Sequence, residues 1–260
     1  MLRATWLLLT TAAATGLDVA SLPADAGGDG VLLGPAPETP VTLMPKRSFV
    51  QHPEFRHAAD LPTDDLPTSF DWRDVPNVVT RVKNQGSVGS CWSFSTTGNI
   101  EGQHALATNT SLELSEEFLV DCDSNDCSVF GGFPYTAFEY IMARGGIPSE
   151  AARPYCVGGL KGVPVCYPCM ADKNKTQCGE GPEFCNKTWT GKQCASGSWS
   201  AAASLSSWVA VSKDEDQIAA QLQARGPLSV LLDATMLQYV EISRSTQHLG
   251  EVDSRRALFS

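Results

Sequence analysis

The sequence predicts an α+β chain, and three observations carry that prediction. Residues 91–146 hold three segments with helical spacing and helix-type ends. A continuously apolar run within "GPLSVLLDA", following an amphipathic segment, reads as a buried strand. Between the two lies a stretch crowded with cysteines and poor in aliphatics, which reads as a stapled loop and not as a core. Helices gathered in one part of a chain and strand character in another is the α+β pattern.

The totals fit this class. A chain of 260 residues allows one large domain or two small ones. Apolar residues make up 42% and charged residues 18%, enough for a sizeable core. The net charge of −10 argues against a nucleic-acid partner. Arg3, the apolar run from Ala4 to Ala14 and the small residues Ala12-Ala13-Ala14 read as a signal peptide over 1–16. That run is shorter than the ~20 residues a bilayer requires, and no later one is long enough, so no membrane partner is expected. Residues 17–65 are rich in Gly, Pro, Ala and Asp without helical or strand period, and read as a short pro-region or linker. No internal repeat is present.

The elements follow in order. "GSCWSFSTTGNIEGQHAL" predicts a helix from Cys91 to about Leu106, with Phe94, Ile100 and Leu106 on one side and Gly98 and Gly102 weakening it. In "LELSEEFLVDC", Ser115 is an N-cap with acidic residues in the first turn behind it. "YTAFEYIMARGG" is a third helix, stopped by Gly145-Gly146. Lys213 to Gly226 is an amphipathic helix with Ile218 and Leu222 inward, and Gly226 to Ala234 is the buried strand.

Nine cysteines (Cys91, Cys122, Cys127, Cys156, Cys166, Cys169, Cys178, Cys185 and Cys194) imply disulfides in a secreted chain, and their odd number leaves a thiol over. Sequons at Asn109, Asn174 and Asn186 agree with a secretory route as glycosylation sites. Six cysteines fall in the insert 156–194. Its Cys166-x-x-Cys169 pair could be half of a zinc site. The spacings to Cys178, Cys185 and Cys194 fit no familiar zinc template, so disulfides and no metal are expected. Eight such cysteines allow 105 connectivities, which sequence alone does not resolve.

Cys91 has the setting of a nucleophile. Thiolates attack carbonyls, and a helix N-terminus favours the thiolate through unpaired N–H groups and the dipole. Gly89 and Ser90 leave room for a substrate backbone. A tetrahedral oxyanion needs donors, and the Gln85 side chain and the Cys91 backbone N–H are the candidates. The bland alternative is a buried, inert thiol.

At these residues the sequence resembles the papain-like cysteine proteases, the group that includes the lysosomal cathepsins. "LPTSFDWRD", "VKNQGSVGSCWSFSTTGNIEG", "LELSEEFLVDC", "GGFPYTAFEYI", "ARPYC" and "GPLSVLLDA" stand in the family order, from about Leu66 to about Tyr239. The resemblance implies a peptidase domain over 66–240. It would have a helical left domain, a β-barrel-like right domain and a cleft between them. It implies Cys91 as nucleophile, Gln85 as oxyanion donor, Gly131 and Gly132 as backbone partners of an extended peptide, and Phe133 and Pro134 as pocket wall. It also implies a monomer acting on peptide or protein substrates without a cofactor, in the lysosome, vacuole or extracellular space.

The sequence departs from the family in places. Most members carry a bridged cysteine where Val88 stands, so that staple is expected to be absent and Cys127 to pair elsewhere. The family's histidine and asparagine settings do not follow "GPLSVLLDA", and residues 241–260 read as an unrelated tail. His52 and His57 fall in the pro-region. His104 lies thirteen residues after Cys91, roughly 20 Å along a helix, and His248 sits in a polar tail. The right domain is therefore expected to be incomplete, the product of a truncated reading frame, a retained intron or an alternative transcript. The competing readings are a non-catalytic homologue that binds peptides or acts as a decoy, and a disulfide-rich extracellular binding module centred on Cys156 to Cys194.

Overall fold

The computed structural model describes residues 8–9, 56–86, 88–156 and 190–231. Three helices form the first half, and their ends follow local chemistry. Helix α1 (Cys91–Thr108) ends at Asn109, which adopts the left-handed conformation (φ 55°) that asparagine tolerates better than most residues. Helix α2 (Glu116–Cys122) is capped by Ser115, whose hydroxyl accepts from the Phe118 N–H at 3.0 Å. Helix α3 (Pro134–Arg144) starts on Pro134, where a missing N–H costs nothing, and stops at Gly145 with φ 80°.

These helices bury one core. Trp92 and Ile100 of α1 pack with Phe118 and Leu119 of α2 and with Phe138 and Ile141 of α3. Each buried side chain of this size contributes roughly 1.5–3 kcal/mol of transfer free energy. Leu106 differs from expectation: it is 41% exposed, and its neighbour Ala105 is the buried residue of that turn.

A buried ionic knot ties α1 and α2 to the segment before them. The Lys83 ammonium lies 2.6 Å from both Glu101 Oε1 and Glu116 Oε1. Thr80 donates to Glu101 Oε2 (2.7 Å), the Leu114 N–H to Glu101 Oε1 (2.7 Å) and Thr97 to Glu116 Oε1 (2.6 Å). These bonds offset the desolvation of the two carboxylates. A second tie pairs Arg153 with Asp121, the guanidinium also lying 6.0 Å from the Phe118 ring centroid.

The second half is built differently. Val209–Ala210 (β2) pairs in parallel with Leu8–Leu9 (β1), inside the segment read as a signal peptide. Ala210 also donates to the Arg56 carbonyl (2.9 Å) and accepts from Ala58 (2.8 Å). Helix α4 (Glu215–Arg225) begins at Asp214, which accepts from the Gln217 N–H. Its most buried residues are Ala220 and Gln221; Ile218 is half-buried against Val209 and Val211, and Leu222 is half-buried as well. The Gln217 side-chain amide donates to the Leu61 carbonyl (2.8 Å) and accepts from its N–H (2.9 Å), while Gln221 donates to the Ala59 carbonyl (2.8 Å). Residues 56–61, read as linker, are thus held by backbone and amide bonds that need no apolar period.

The strand expected over Gly226–Ala234 is not continuous. Ser229 and Leu231 each make only an isolated bridge, and 232–234 lie outside the described residues. Ser229 is buried and donates to the Ser95 carbonyl of α1 (2.9 Å). Asn99 donates to the Pro227 carbonyl and Gln103 to the Arg225 carbonyl, both at 2.7 Å. A Cβ on Gly102 would sit 2.7 Å from Pro227 Cγ. The Gly102 that weakens the helix in sequence therefore allows the connection after α4 to seat on α1.

Cys122 is bridged to Cys194 across 72 positions (Cα–Cα 5.5 Å), and Cys127 and Cys156 are disulfide-bonded too. Cys166, Cys169, Cys178, Cys185 and the signal-peptide cleavage site lie outside the described residues, as do the sequons at Asn174 and Asn186. No described helix is long and apolar enough to cross a membrane.

Candidate active site

Cys91 is the first residue of α1 and the free cysteine among the described residues. It keeps partial surface exposure. The expected N-terminal stabilisation is present, because the backbone N–H groups of Trp92 and Cys91 reach the sulfur. Burial nevertheless outweighs them and pushes the thiol above its ordinary range.

Hydrogen bonds hold the described residues just before α1. Gln85 is buried, and its side-chain amide donates to the Val88 carbonyl at 2.8 Å. An amide NH2 has two protons; one is committed to the loop, which fixes the group's orientation and leaves the other for an acceptor. The Gln85 carbonyl accepts from the Tyr155 hydroxyl (2.8 Å), and that hydroxyl lies 2.7 Å from Ser90 Oγ. The phenol has one proton and uses it on Gln85, so Ser90 is the donor in the second bond. The Tyr155 ring packs edge-on against Phe94 at 4.8 Å.

The glycine pair sits beside this loop. The Gly89 N–H donates to the Val129 carbonyl (2.8 Å), and Trp92 Nε1 donates to the Ser128 carbonyl (2.9 Å). Gly131 has φ 111°, a conformation that favours glycine, and its carbonyl accepts from the Cys127 N–H. A Cβ on Gly132 would fall 2.6 Å from Trp92 Cδ2 and 2.7 Å from Asp126 Cγ. Asp126 accepts from the Phe133 N–H (2.8 Å) and from Thr136 Oγ1 (2.8 Å), fixing the entry to α3 at Phe133 and Pro134. Val88 packs with Val120, Val129 and Phe130, so an apolar cluster occupies the place where a staple was expected to be missing.

The fold thus gathers Cys91, Gln85, Gly131, Gly132, Phe133 and Pro134 around the start of α1. Asn109 is far along the same helix, exposed at its C-terminal end. Sequence reasoning passed over Tyr155 and Asp126. Their only signals were the "PYC" landmark and an Asp ahead of a Gly-Gly pair.

No described histidine hydrogen-bonds Cys91. His104 lies in the later turns of α1, with Nδ1 buried and unpartnered and the imidazole held below its ordinary pKa by burial. His57 is exposed beside β2. His52 and His248 lie outside the described residues.

The profile of the papain family cysteine proteases matches residues 66–251. A probable cysteine protease of Arabidopsis thaliana, RD19B, is 40% identical over 202 residues, covering 74% of this chain and 47% of that protein. Cysteine proteinase 15A of Pisum sativum is 40% identical over 187 residues, covering 68% of this chain and 42% of that protein. The chain spans about half the length of the curated relatives it matches. Among solved structures, the digestive procathepsin L2 proteinase of Tenebrio molitor larval midgut is 31% identical, covering 72% of this chain and 51% of that one, with a TM-score of 0.49.

Proposed function

Because this chain belongs to the papain family of cysteine proteases, we propose that it supplies the nucleophile side of a peptide-bond hydrolase. Cys91 attacks the carbonyl of a peptide or protein substrate. The free Gln85 amide proton and backbone N–H groups at the start of α1 hold the oxyanion. Collapse of the tetrahedral intermediate breaks the C–N bond and expels the amine, which takes up the proton given up by the thiol; water then cleaves the Cys91 thioester to a carboxylic acid and the free thiol. The Gly132 N–H and carbonyl make no hydrogen bond among the described residues, which supports a role in pairing with an extended substrate backbone, with Phe133 and Pro134 beside it. No metal-binding cluster occurs among the described residues, and the proposed chemistry needs no metal or cofactor.

The single observation that carries the reading is an unbridged, partly exposed Cys91 at a helix start whose preceding loop is fixed by Gln85, Ser90 and Tyr155. Burial raises the thiol, so an acceptor for its proton is required, and an imidazole brought beside the sulfur would serve. The bridge from Cys122 to Cys194, the bonded Cys127 and Cys156 and the exposed Asn109 support an oxidising secretory route, ending in a vacuolar or extracellular compartment. We take the chain to act as a monomer.

The test is labelling with an electrophilic peptidyl epoxide, mapped by mass spectrometry, beside a peptide-hydrolysis assay. Labelling at Cys91 that is lost in Cys91→Ser is the expected result. A folded protein that takes no label would instead support a non-catalytic homologue that binds peptides or acts as a decoy.

A further inference from the structure

Tyr155 belongs to neither helix of the site, yet it touches the nucleophile loop at both ends. Its hydroxyl donates to the Gln85 carbonyl and accepts from Ser90, spanning 70 and 65 positions in sequence. Ser90 is the residue before Cys91 and is fully buried; Gln85 is buried as well. The tyrosine is itself anchored. Its N–H donates to Glu150 Oε1 (2.9 Å), the following Cys156 N–H donates to Glu117 Oε2 (3.0 Å), and its ring rests on Phe94. The charged groups bearing on it are Glu116 and Glu117 of α2, Glu150 and the Cys91 sulfur.

We propose that Tyr155 is a positioning residue for the nucleophile. Its hydroxyl clamps the Gln85–Ser90 loop so that the backbone N–H groups at the start of α1 stay on the Cys91 sulfur and the Gln85 amide keeps its orientation. The loop contains Gly86 and Gly89, both permissive, and it is closed by the bond from Gln85 Nε2 to Val88 and by the Tyr155 bridge. Removing the phenolic hydroxyl leaves the carbonyl of buried Gln85 without its donor and the Ser90 hydroxyl without its acceptor, so that Ser90 is tied to the loop by its backbone alone. The turn that aims N–H groups at the sulfur then loosens, and the thiolate loses stabilisation. This inference rests on the reading of Cys91 as nucleophile.

The test is the pH profile of Cys91 alkylation by iodoacetamide in the full chain, quantified on the Cys91 peptide. A midpoint is obtained for any thiol, so the profile is readable whether or not a peptidyl epoxide labels the protein. Failure of epoxide labelling in the wild type would sink the nucleophile reading alone. Tyr155→Phe keeps the ring on Phe94 and removes only the hydroxyl. Its midpoint is expected to rise by about one pH unit, which is a tenfold slower reaction at a fixed pH below the midpoint. Tyr140→Phe, which removes a hydroxyl from α3 away from the loop, should leave the profile in place. Ser90→Ala should shift it in the same direction, and the double variant should shift it no further than Tyr155→Phe alone, since both act through one chain of bonds. A Tyr155→Phe profile superimposed on the wild type, an equal shift in Tyr140→Phe, or fully additive shifts of Tyr155→Phe and Ser90→Ala would each overturn the proposal.

Discussion

Replacing Glu116 by glutamine should change how stability depends on pH more than it changes stability at any one pH. Glu116 is 1% exposed, and burial raises its carboxyl from an ordinary 4.5 to about 7, against the opposing pull of Lys83 and Thr97. A carboxyl raised in the folded state holds its proton where the unfolded chain has already released it. Folding therefore binds protons between pH 4.5 and about 7, and stability falls as pH rises through that window. Two and a half pH units at 1.36 kcal/mol each give about 3 kcal/mol for this group. Glu116→Gln cannot titrate. Lys83 keeps Glu101 as its partner at 2.6 Å, so the variant retains one ion pair in the knot. Urea unfolding of wild type and variant near pH 5 and near pH 8 reads the difference directly. The wild type should lose stability between these values, and the variant should lose about 3 kcal/mol less. Parallel profiles would refute the reasoning, because they would mean that the proton is not held in the folded state.

Other outcomes follow from the same structure. Glu117, raised to about 8 by burial and by Asp121, adds to the same slope, so Glu117→Gln should flatten what Glu116→Gln leaves, again read by urea unfolding. Replacing Cys122 and Cys194 together by alanine opens a loop of 72 positions and should cost about 4 kcal/mol of stability, measured as a fall in Tm. Gly132→Ala puts a methyl group 2.6 Å from Trp92 and should cost about 1–3 kcal/mol while slowing epoxide labelling of Cys91. Gln217→Ala removes both bonds to Leu61, and a broad-specificity protease should then cut residues 58–66 faster, while an unchanged cleavage pattern would show that residues 56–61 are held by other contacts.

The legible parts of the fold were those written in local chemistry. Ser115 announces α2 and Gly145 ends α3, because capping is decided within a few residues. An odd cysteine count pointed to a leftover thiol, and Cys91 is free. What stayed hidden depends on partners far away in sequence. Residues 56–61 are held by amides of Gln217 and Gln221, so no hydrophobic period marks them. The run after Gly226 has the composition of a strand, yet Ser229 turns its hydroxyl to Ser95 and the run makes isolated bridges. Leu106 fits the apolar side of a helical wheel, but in that turn Ala105 is buried and Leu106 is not. Within the candidate site, the places of Cys91 at the start of α1 and of Gln85 just before it were legible from type and spacing. Tyr155 was not, since a tyrosine acquires a role only from the carbonyl and hydroxyl it meets. The helix start at Cys91 is visible in sequence, while the burial that acts against it at the sulfur is not.

The seating of residues 225–229 on α1 has a consequence for biosynthesis. Asn99 and Ser95 find their partners 128 and 134 positions later in the chain. At 5–20 residues per second, a ribosome needs roughly 6 to 27 s to deliver them. For that interval the helix bearing Cys91 can pack its inner face, but its rear face, with the notch at Gly102 awaiting Pro227, stays open to solvent. Helix α1 therefore cannot complete its packing until Pro227 has emerged.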